Sequence, residues 1–342
     1  MKVARLENGE LFIRDEEPPV PGVDHALIHI RTAGVCHSDL HIRRGDWAGV
    51  GRSLPLGHEA IGVVEALGPG ADRFVATGDR VILGLGGTGG GYWCGACEYC
   101  LGGNPRHCAQ ALPVFGVFGE YFSAYAPGLV KVPAALSDQE APLACGGLTA
   151  YGAVKKLVDH KVRPGRHIAV VGAAGGLGHY AVQLARAFGY KVVGIDVGAE
   201  RLRFVESLGA DLTVSADAAI ETVTREIGGV DASLVFSAKL AGFDLGFKLL
   251  RRRGLFVAVG LPASSEGNFQ INPFELFFRD ATIIYSAVGT VQDMRELIDL
   301  AADGKVRSHV SRVGGLSELD AIFDELEGAR YLGRAVINDL AR

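Results

Sequence analysis

A run of glycines between an apolar strand and a helical pattern is the feature that most constrains this chain. The segment His167 to Ala173 is apolar enough for a buried strand, and the stretch Gly172 to Gly178 then opens a helical pattern. A second apolar strand ends at Asp196. Glycines in such a turn let backbone N–H groups approach a pyrophosphate, and the acid accepts hydrogen bonds from a ribose. A plain loop is the alternative for the glycines alone, but strand, helix and acid at this spacing predict a dinucleotide-binding (Rossmann) turn.

The same segment predicts the cofactor. Three residues of the turn are expected to contact it: Gly175, Gly176 and Leu177. The strict three-glycine pattern is not met, because Ala173 stands where its first glycine belongs. A carboxylate at Asp196 would repel a 2′-phosphate, so NAD is expected over NADP. Arg201 is expected to contact the adenosine end of the cofactor rather than to reverse this preference.

The pattern of apolar residues changes near Gly147. Before it, short strands near 26–33, 60–67, 79–83, 121–125 and 129–132 predict a β-rich domain whose loops carry most of the cysteines and histidines. After it, strands alternate with helices, one of them near Phe243 to Leu250, and the continuous Val/Ile/Ala runs predict a doubly wound parallel sheet. We therefore predict an α/β protein with two domains, 1–147 together with 291–342, and 148–290.

Length and charge exclude several kinds of partner. A chain of 342 residues with 48% hydrophobic residues is long enough for about two cores. Its net charge of -5 and the lack of a Lys/Arg-rich run argue against nucleic acid and anionic membranes. The charged first residues and the lack of a long apolar stretch predict a cytoplasmic protein.

Four of the six cysteines form a cluster with the pattern C-x2-C-x2-C-x7-C: Cys94, Cys97, Cys100 and Cys108. Four thiolates on tight turns can converge on one tetrahedral zinc ion at about 2.3 Å, in a site closed to water. The pattern predicts a structural zinc site. Disulfides in an exported protein are the rival explanation of an even cysteine count, and the missing export signal favours the metal.

The two other cysteines lie beside further candidate ligands. Cys36 is in GVCHSDLH, Cys145 is in APLACGGLTAY, and His58 is in LGHEA. Two cysteines and one histidine form a catalytic zinc ligand set, because three protein ligands leave a fourth position for water or substrate. From the residues alone the alternatives stay open: the cysteines could be inert core residues, and the histidine a hydrogen-bonded turn residue.

Eight segments resemble a known family: GVCHSDLHIRRGDW, LPLGHEAIGVV, GDRV, CGACEYCLGGNPRHC, APLACGGLTAYGAVK, VVGAAGGLGHYAVQLARAFGY, GID and GRAVIN. Over nearly its full length the chain resembles zinc-containing medium-chain alcohol dehydrogenases, most of all the tetrameric yeast and bacterial type. The resemblance implies a GroES-like fold for the β-rich domain, two zinc ions per chain and NAD as cofactor. It also implies a small alcohol, aldehyde or ketone as substrate and a homotetramer.

The resemblance assigns roles around the second metal. It implies that Cys36, His58 and Cys145 hold a catalytic zinc and that Glu59 is a nearby acid able to approach it. It also implies that Asp39 orients His58, which agrees with the tendency of zinc-bound imidazole to donate its other N–H to a carboxylate. For Asp39 the alternative is a solvated loop acid.

A proton relay and a set of cofactor contacts follow from the same resemblance. Ser38 and His41 match the relay that carries the proton of the alcohol to water through ribose hydroxyls, and imidazole suits this task because it titrates near physiological pH. Bound zinc would act as a Lewis acid and NAD as the hydride acceptor. The positions matched to cofactor contacts are His37, Thr149, Val259, Leu261, Ser286, Val288 and Arg334. The alternative for the apolar residues in this set is that they are ordinary core residues of a strand.

The substrate and a rival function stay open. The glycine-rich stretch Gly84 to Gly91 makes this part of the chain longer than in the yeast-type pattern, in a region that borders the substrate cleft in the family. Trp47 matches either a bulky residue of the pocket wall or an aromatic residue of the core. The physiological alcohol and the preferred direction are therefore not determined. The rival function is that of a zinc-binding module, which uses Cys94 to Cys108 to recognise nucleic acid or protein and lies beside a domain that only senses NAD. The second ligand set and the acidic charge favour the enzyme.

Overall fold

The structure is a computed structural model that describes residues 1–47, 49–84 and 91–341. The chain divides into two compact units. Unit 1 comprises Met1–Leu148 and Val288–Arg342, and unit 2 comprises Thr149–Ala287. The predicted domain boundaries, after residues 147 and 290, differ from these by one and three residues.

Helices and strands are numbered in chain order. The first part of the chain contains β1 (Lys2–Glu7), β2 (Glu10–Asp15), β3 (His25–Val35), α1 (His37–Arg44), β4 (Leu54–Pro55), β5 (Ala60–Leu67), β6 (Arg80–Leu83), α2 (Glu98–Leu101), β7 (Tyr121–Tyr125), β8 (Val130–Lys131) and α3 (Gly146–Asp159). The middle part contains β9 (His167–Val171), α4 (Gly178–Ala187), β10 (Lys191–Asp196), α5 (Ala199–Ser207), β11 (Leu212–Ser215), α6 (Ala219–Ile227), β12 (Val230–Val235), α7 (Leu240–Lys248), β13 (Leu250–Ala258), α8 (Pro273–Arg279) and β14 (Thr282–Tyr285). The last part contains α9 (Val291–Ala302), β15 (Val310–Gly315), α10 (Leu319–Glu327) and β16 (Arg334–Asp339).

Unit 1 is organised around the long strand β3. This strand pairs antiparallel with β5, β7 and β16, and the sheet continues through β6 and β8 on one side and β15 on the other. Alternate residues in its first half are buried, which is why the segment reads as a half-buried strand. A smaller sheet has the order β2-β1-β4. The β-rich character predicted for this part of the chain is confirmed.

Unit 2 contains a parallel sheet with the strand order β11-β10-β9-β12-β13-β14. Every pairing in it is parallel. Helices α4, α5 and α7 pack against the sheet, and Ile168 to Val171 of β9 are buried. Burial on both faces explains the continuous apolar runs, because no residue of such a strand faces water. The predicted α/β class with a doubly wound parallel sheet is confirmed.

One helix prediction in unit 2 was wrong at its end. The helix expected near Phe243 to Leu250 is α7, which ends at Lys248, and Leu250 begins β13. Leu250 pairs with Val230 of β12, so strand pairing decides its conformation although its local sequence is compatible with a helix. The hairpin β1–β2 and the helices α8 and α10 were not predicted. Among the described residues no helix is both long and apolar enough to span a bilayer.

Candidate active site and metal centres

Four side chains with metal-binding atoms converge in the interior of unit 1. They belong to Cys36, His58, Glu59 and Cys145, and all four residues are buried. One ligand atom from each lies within 4.8 Å of those of the others. The three residues predicted from separate segments are thus brought together, with the predicted nearby acid beside them.

Strand pairing explains this convergence. Cys36 directly follows β3 and precedes α1, whereas His58 lies just before β5. Because β3 and β5 pair with Ala33 opposite Ala60, the two segments leave the sheet side by side. Cys145 follows a 3-10 turn that packs against both strands.

A buried carboxylate fixes the imidazole of His58. The Nδ1 atom of His58 lies 3.0 Å from Oδ1 of Asp39, and both side chains are fully buried. Asp39 also accepts hydrogen bonds from the backbone N–H groups of Cys36 at 3.3 Å and Gly57 at 3.2 Å. The ring is therefore held with its other nitrogen, Nε2, turned away from Asp39, which is the arrangement predicted for a metal-binding histidine.

The chemistry of the donors fits a zinc ion. His58 Nε2 is buried and has no hydrogen-bond partner among the described residues. The pKa of Cys36 lies well below the usual thiol value because the Cys145 thiol donates a hydrogen bond to its sulfur, and the same contact raises the pKa of Cys145. A divalent cation would favour loss of the second thiol proton. Two sulfurs and one imidazole nitrogen match a zinc site with three protein ligands and one open position.

Glu59 is paired with an arginine. The Nη2 atom of Arg334 donates to both carboxylate oxygens of Glu59, at 2.5 Å to Oε2, and to the carbonyl oxygen of Val35 at 3.0 Å. Burial raises the pKa of Glu59 to about 8, and the positive charge of Arg334 opposes part of that shift. Arg334 was predicted to contact the cofactor, which stays a prediction. Its observed partners are Glu59 and the β3 backbone, a pairing that the sequence analysis did not predict.

The other four cysteines form the second cluster, around α2. Their sulfur atoms lie 3.5 Å (Cys97 to Cys100), 3.5 Å (Cys94 to Cys108) and 3.9 Å (Cys94 to Cys100) apart. A tetrahedron with zinc–sulfur bonds of about 2.3 Å has edges of about 3.8 Å. Backbone N–H groups of Ala96 and Cys97 lower the pKa of Cys94 to about 6, which favours a thiolate. This cluster also fits a zinc ion, with four sulfur ligands and no open position.

The predicted relay residues lie on α1, directly after Cys36. Ser38 and His41 are three residues apart and therefore lie on neighbouring positions of one helix face. His41 is 9% exposed, its Nδ1 atom lies 2.7 Å from Oδ2 of Asp46, and its ring stacks on Trp47. His37, at the start of the helix, is exposed. Trp47 packs against the hydrophobic core of unit 1.

The glycine-rich turn of unit 2 follows β9 and leads into α4. Gly172 has a φ of +81°, which disfavours any residue with a side chain. A Cβ atom on Gly178 would lie 2.0 Å from the carbonyl oxygen of Gly172, so this position has no room for one. The turn includes Gly175, Gly176 and Leu177 as predicted. Glycines that pack the strand against the helix in this way fit a dinucleotide-binding turn.

Asp196 ends β10, next to this turn. Its carboxylate accepts hydrogen bonds from the backbone N–H groups of Ala174 at 2.7 Å and Val197 at 2.8 Å. Nη1 of Arg201 lies 3.5 Å from Oδ1 of Asp196. The acid is thus fixed against the glycine turn, at the place where a ribose hydroxyl would be recognised.

Three other predicted cofactor residues follow strands of the same parallel sheet: Val259 and Leu261 after β13, and Ser286 after β14. Because parallel strands end at one edge of a sheet, these residues share an edge with the glycine turn and Asp196. Val259 and Ser286 are buried, whereas Leu261 is half exposed. The Ser286 hydroxyl has no hydrogen-bond partner among the described residues. Two further positions lie elsewhere: Thr149, buried in α3, and Val288, in unit 1 with a φ of +52°.

Comparison with known proteins assigns the family. Residues 22–134 match the model of the alcohol dehydrogenase GroES-like domain, and residues 176–303 match that of the zinc-binding dehydrogenases. An alcohol dehydrogenase of Geobacillus stearothermophilus is 38% identical, covering 98% of this chain and 99% of its own. The chain belongs to the zinc-type medium-chain alcohol dehydrogenases. An alcohol dehydrogenase of Moraxella sp. (strain TAE123) is 37% identical, with 99% of each chain covered.

Solved structures of alcohol dehydrogenases and a reductase share this fold. The alcohol dehydrogenase of Aeropyrum pernix has a TM-score of 0.89 at 33% identity, covering 99% of this chain and all of its own. An acetophenone reductase of Geotrichum candidum, solved in complex with NAD, has a TM-score of 0.86 at 28% identity, covering 99% and 97%. The predicted family and fold are therefore confirmed.

Two features of this chain were not resolved by sequence reasoning. Asp46 received no role, although it lies in the quoted segment GVCHSDLHIRRGDW and the structure directs it to His41. Its position after a helix-ending glycine is the signal that could have suggested a side chain turned back towards the helix. The glycine-rich stretch 84–91 was expected to border a pocket, and residues 85–90 of it lie outside the described part of the chain.

Proposed function

We propose that the protein is an NAD-dependent alcohol dehydrogenase that interconverts alcohols with aldehydes or ketones. The observation that carries this proposal is the buried convergence of Cys36, His58 and Cys145 in a member of this family. The Nε2 atom of His58 there has no hydrogen-bond partner among the described residues. Zinc bound at these residues would supply Lewis acidity, and NAD bound at its own site would accept the hydride.

The side chains around the metal site have distinct tasks in this proposal. Asp39 holds the ring of His58 so that Nε2 faces the metal site. Glu59, paired with Arg334, is a nearby acid able to approach the metal. Ser38 and His41 carry the proton of the alcohol hydroxyl towards water, since a hydroxyl followed by an imidazole can pass on a proton at neutral pH.

The cofactor would bind to unit 2 through groups of two kinds. Backbone N–H groups of the turn at Gly175, Gly176 and Leu177 would bind the pyrophosphate at the start of α4. Asp196 would accept hydrogen bonds from the adenosine ribose and disfavour a 2′-phosphate, with Arg201 at the adenosine end. The remaining proposed contacts are Thr149, Val259, Leu261 and Ser286 in unit 2, and His37, Val288 and Arg334 in unit 1.

We also propose that each chain binds two zinc ions, the second at Cys94, Cys97, Cys100 and Cys108. The sulfur spacing of 3.5 to 3.9 Å supports a closed tetrahedral site. Its role would be to stabilise the lobe around α2 and not to take part in the reaction. A reducing compartment keeps such cysteines from forming disulfides, and we propose the cytoplasm.

We propose a homotetramer as the working form. Helix α8 exposes large aromatic side chains, with Phe274 at 75% and Phe277 at 77%, and the neighbouring β14 ends the six-stranded sheet within the described residues. An unpaired strand edge beside apolar surface supports self-association. Sedimentation equilibrium should give four chains, whereas a monomer at all concentrations would contradict this part of the proposal.

The deciding experiment combines metal analysis with an activity assay. The purified protein should contain two zinc ions per chain and reduce NAD with simple alcohols. A zinc-binding module that only senses NAD should contain one zinc and reduce no NAD. Assays with NAD and NADP in both directions should favour NAD, and the panel should include primary alcohols, secondary alcohols and an aryl ketone. The aryl ketone is included because one structural relative is an acetophenone reductase.

A further inference from the structure

The turn after α1 returns a carboxylate to His41. The helix ends at Arg44 and is capped by Gly45, which has a left-handed φ of +72°. The N–H of Asp46 then donates to the carbonyl oxygen of His41 at 3.0 Å, and Oδ2 of Asp46 lies 2.7 Å from Nδ1 of His41. The side chain of Asp46 is 22% exposed, and that of His41 is 11% exposed. The pair is thus largely shielded from water, where a hydrogen bond to a carboxylate keeps a defined geometry.

Trp47 holds the same imidazole from its face. The two ring centroids are 4.9 Å apart with an interplanar angle of 27°. Trp47 itself is packed against the hydrophobic core of unit 1, so the surface on which His41 rests is fixed. A stacked face together with a hydrogen bond at Nδ1 leaves the imidazole little freedom to turn over. Nε2 is then the nitrogen available for proton exchange.

Other acidic side chains near α1 pair with arginines. Helix α10 packs against α1, and its acids pair with arginines of α1, Asp320 with Arg43 at 2.7 Å and Glu327 with Arg44. The ring of His37 lies 5.9 Å from that of His41, one helical turn earlier. Among the described residues, Asp46 is therefore the carboxylate that contacts His41.

We propose that Asp46 is a positioning residue for the proton relay: it holds His41 as the tautomer with hydrogen on Nδ1, so that Nε2 receives the proton of the alcohol. This inference rests on the proposed function, since it needs His41 to carry that proton. Neither the sequence nor the family comparison assigned a role to Asp46.

The proton balance of the step is simple. With Nδ1–H donating to Asp46, the lone pair of His41 is on Nε2. The O–H bond of the alcohol breaks as its proton passes along the relay, and a new N–H bond forms at Nε2. The imidazolium is stabilised by the carboxylate of Asp46 and then releases the Nε2 proton to water. Asp46 takes no proton in this step.

The test uses Asp46→Asn in the zinc-loaded enzyme. An amide can donate to Nδ1 as well as accept from it, so the variant no longer favours one tautomer. We expect kcat for alcohol oxidation to fall by about tenfold near pH 7, since a positioned acid or base contributes about 10² or more to the rate. The loss should shrink at high pH, where solvent base can take the proton directly. KM for NAD and for the alcohol should change less than about twofold, because binding contacts are untouched.

A double variant separates positioning from a purely structural effect. If Asp46 acts through His41, then His41→Ala with Asp46→Asn should be no slower than His41→Ala alone. Multiplied losses in the double variant would show an independent role and would overturn the inference. Asp46→Ser is the second variant, and it should reproduce the asparagine result if Asp46→Asn folds poorly. Asp46→Glu should restore part of the rate.

Controls distinguish this inference from the proposed function. Zinc content and thermal midpoint are measured for each variant, and Asp320→Asn, which removes an exposed acid paired with Arg43, should leave the pH profile unchanged. If the parent enzyme reduces no NAD, the proposed function itself fails. If His41→Ala keeps the parent pH profile, the relay and its positioning are both overturned. A parent-like profile for Asp46→Asn beside an altered one for His41→Ala overturns the role of Asp46 alone.

Discussion

His58 Nδ1 lies 3.0 Å from Asp39 Oδ1, and neither side chain is exposed to solvent. The same carboxylate accepts hydrogen bonds from the backbone of Cys36 and of Gly57. Asp39 therefore ties the start of α1, where Cys36 lies, to the segment that supplies His58, and it orients the imidazole at the same time. A single buried acid thus fixes the positions of two of the proposed ligand residues, Cys36 and His58.

Replacement of Asp39 by asparagine should weaken the catalytic zinc site. The amide keeps nearly the same size but loses the negative charge that orients His58 and stabilises it beside a cation. We expect zinc affinity at this site to fall by about 10- to 100-fold, with activity falling in parallel. Competition with a chelator, followed by zinc content and NAD reduction, measures both. Equal resistance to the chelator in variant and parent would contradict the role of Asp39.

Cys145→Ser should abolish activity and lower the zinc content from two per chain towards one. A hydroxyl is a far weaker zinc ligand than a thiolate, and two ligands do not hold the ion. Metal analysis together with NAD reduction tests this directly. The matched control is Cys97→Ser, which should also lose one zinc but from the other cluster. A two-zinc, fully active Cys145→Ser protein would disprove the ligand assignment.

Cys97→Ser should act mainly on stability. It opens a cage of four sulfurs whose metal binding contributes to folding. We expect the thermal midpoint to fall by roughly 5 °C or more, because each kcal/mol lost shifts the midpoint of a unit this large by about 2–4 °C. Differential scanning calorimetry with and without added zinc measures the shift. An unchanged midpoint after proven loss of zinc would show that the cluster is not structural.

Asp196→Ser should weaken the preference for NAD over NADP. The change removes the carboxylate that would bind the ribose and repel a 2′-phosphate, while Arg201 stays close enough to attract one. The ratio of kcat/KM for NAD to that for NADP should fall by about tenfold or more. Asp211→Asn, which removes another strand-associated acid of unit 2, should leave this ratio unchanged. The thermal midpoint is needed as well, since Asp196 also accepts from Ala174.

Local sequence patterns predicted much of the structure. The glycines of Gly172 to Gly178 and the acid at Asp196 predicted the turn, because backbone approach and helix packing at that place tolerate no side chain. The spacing of Cys94 to Cys108 predicted a cluster for a similar reason, since residues this close in sequence can converge only through short turns. Continuous apolar runs predicted the parallel sheet, because its central strands are covered on both faces.

Where the local sequence favoured one backbone conformation and strand pairing required another, strand pairing determined the conformation. Leu250 fits a helical pattern but starts β13 opposite Val230. The residues alone left Cys36, His58 and Cys145 as either ligands or core residues, and only the resemblance chose between them. The register of β3 with β5 is what brings the first two together, and register depends on side chains far apart in sequence.

The sequence by itself thus determined the family, the two-part fold and the residue types at both clusters. Only the tertiary structure determined which of these side chains pair: Arg334 with Glu59, and Asp46 with His41. Neither pairing has a sequence signal strong enough to predict it, because one joins residues 275 positions apart and the other depends on the left-handed turn at Gly45. Contacts of this kind follow from chain packing in three dimensions, whereas turns, cages and buried strands are specified by neighbouring residues.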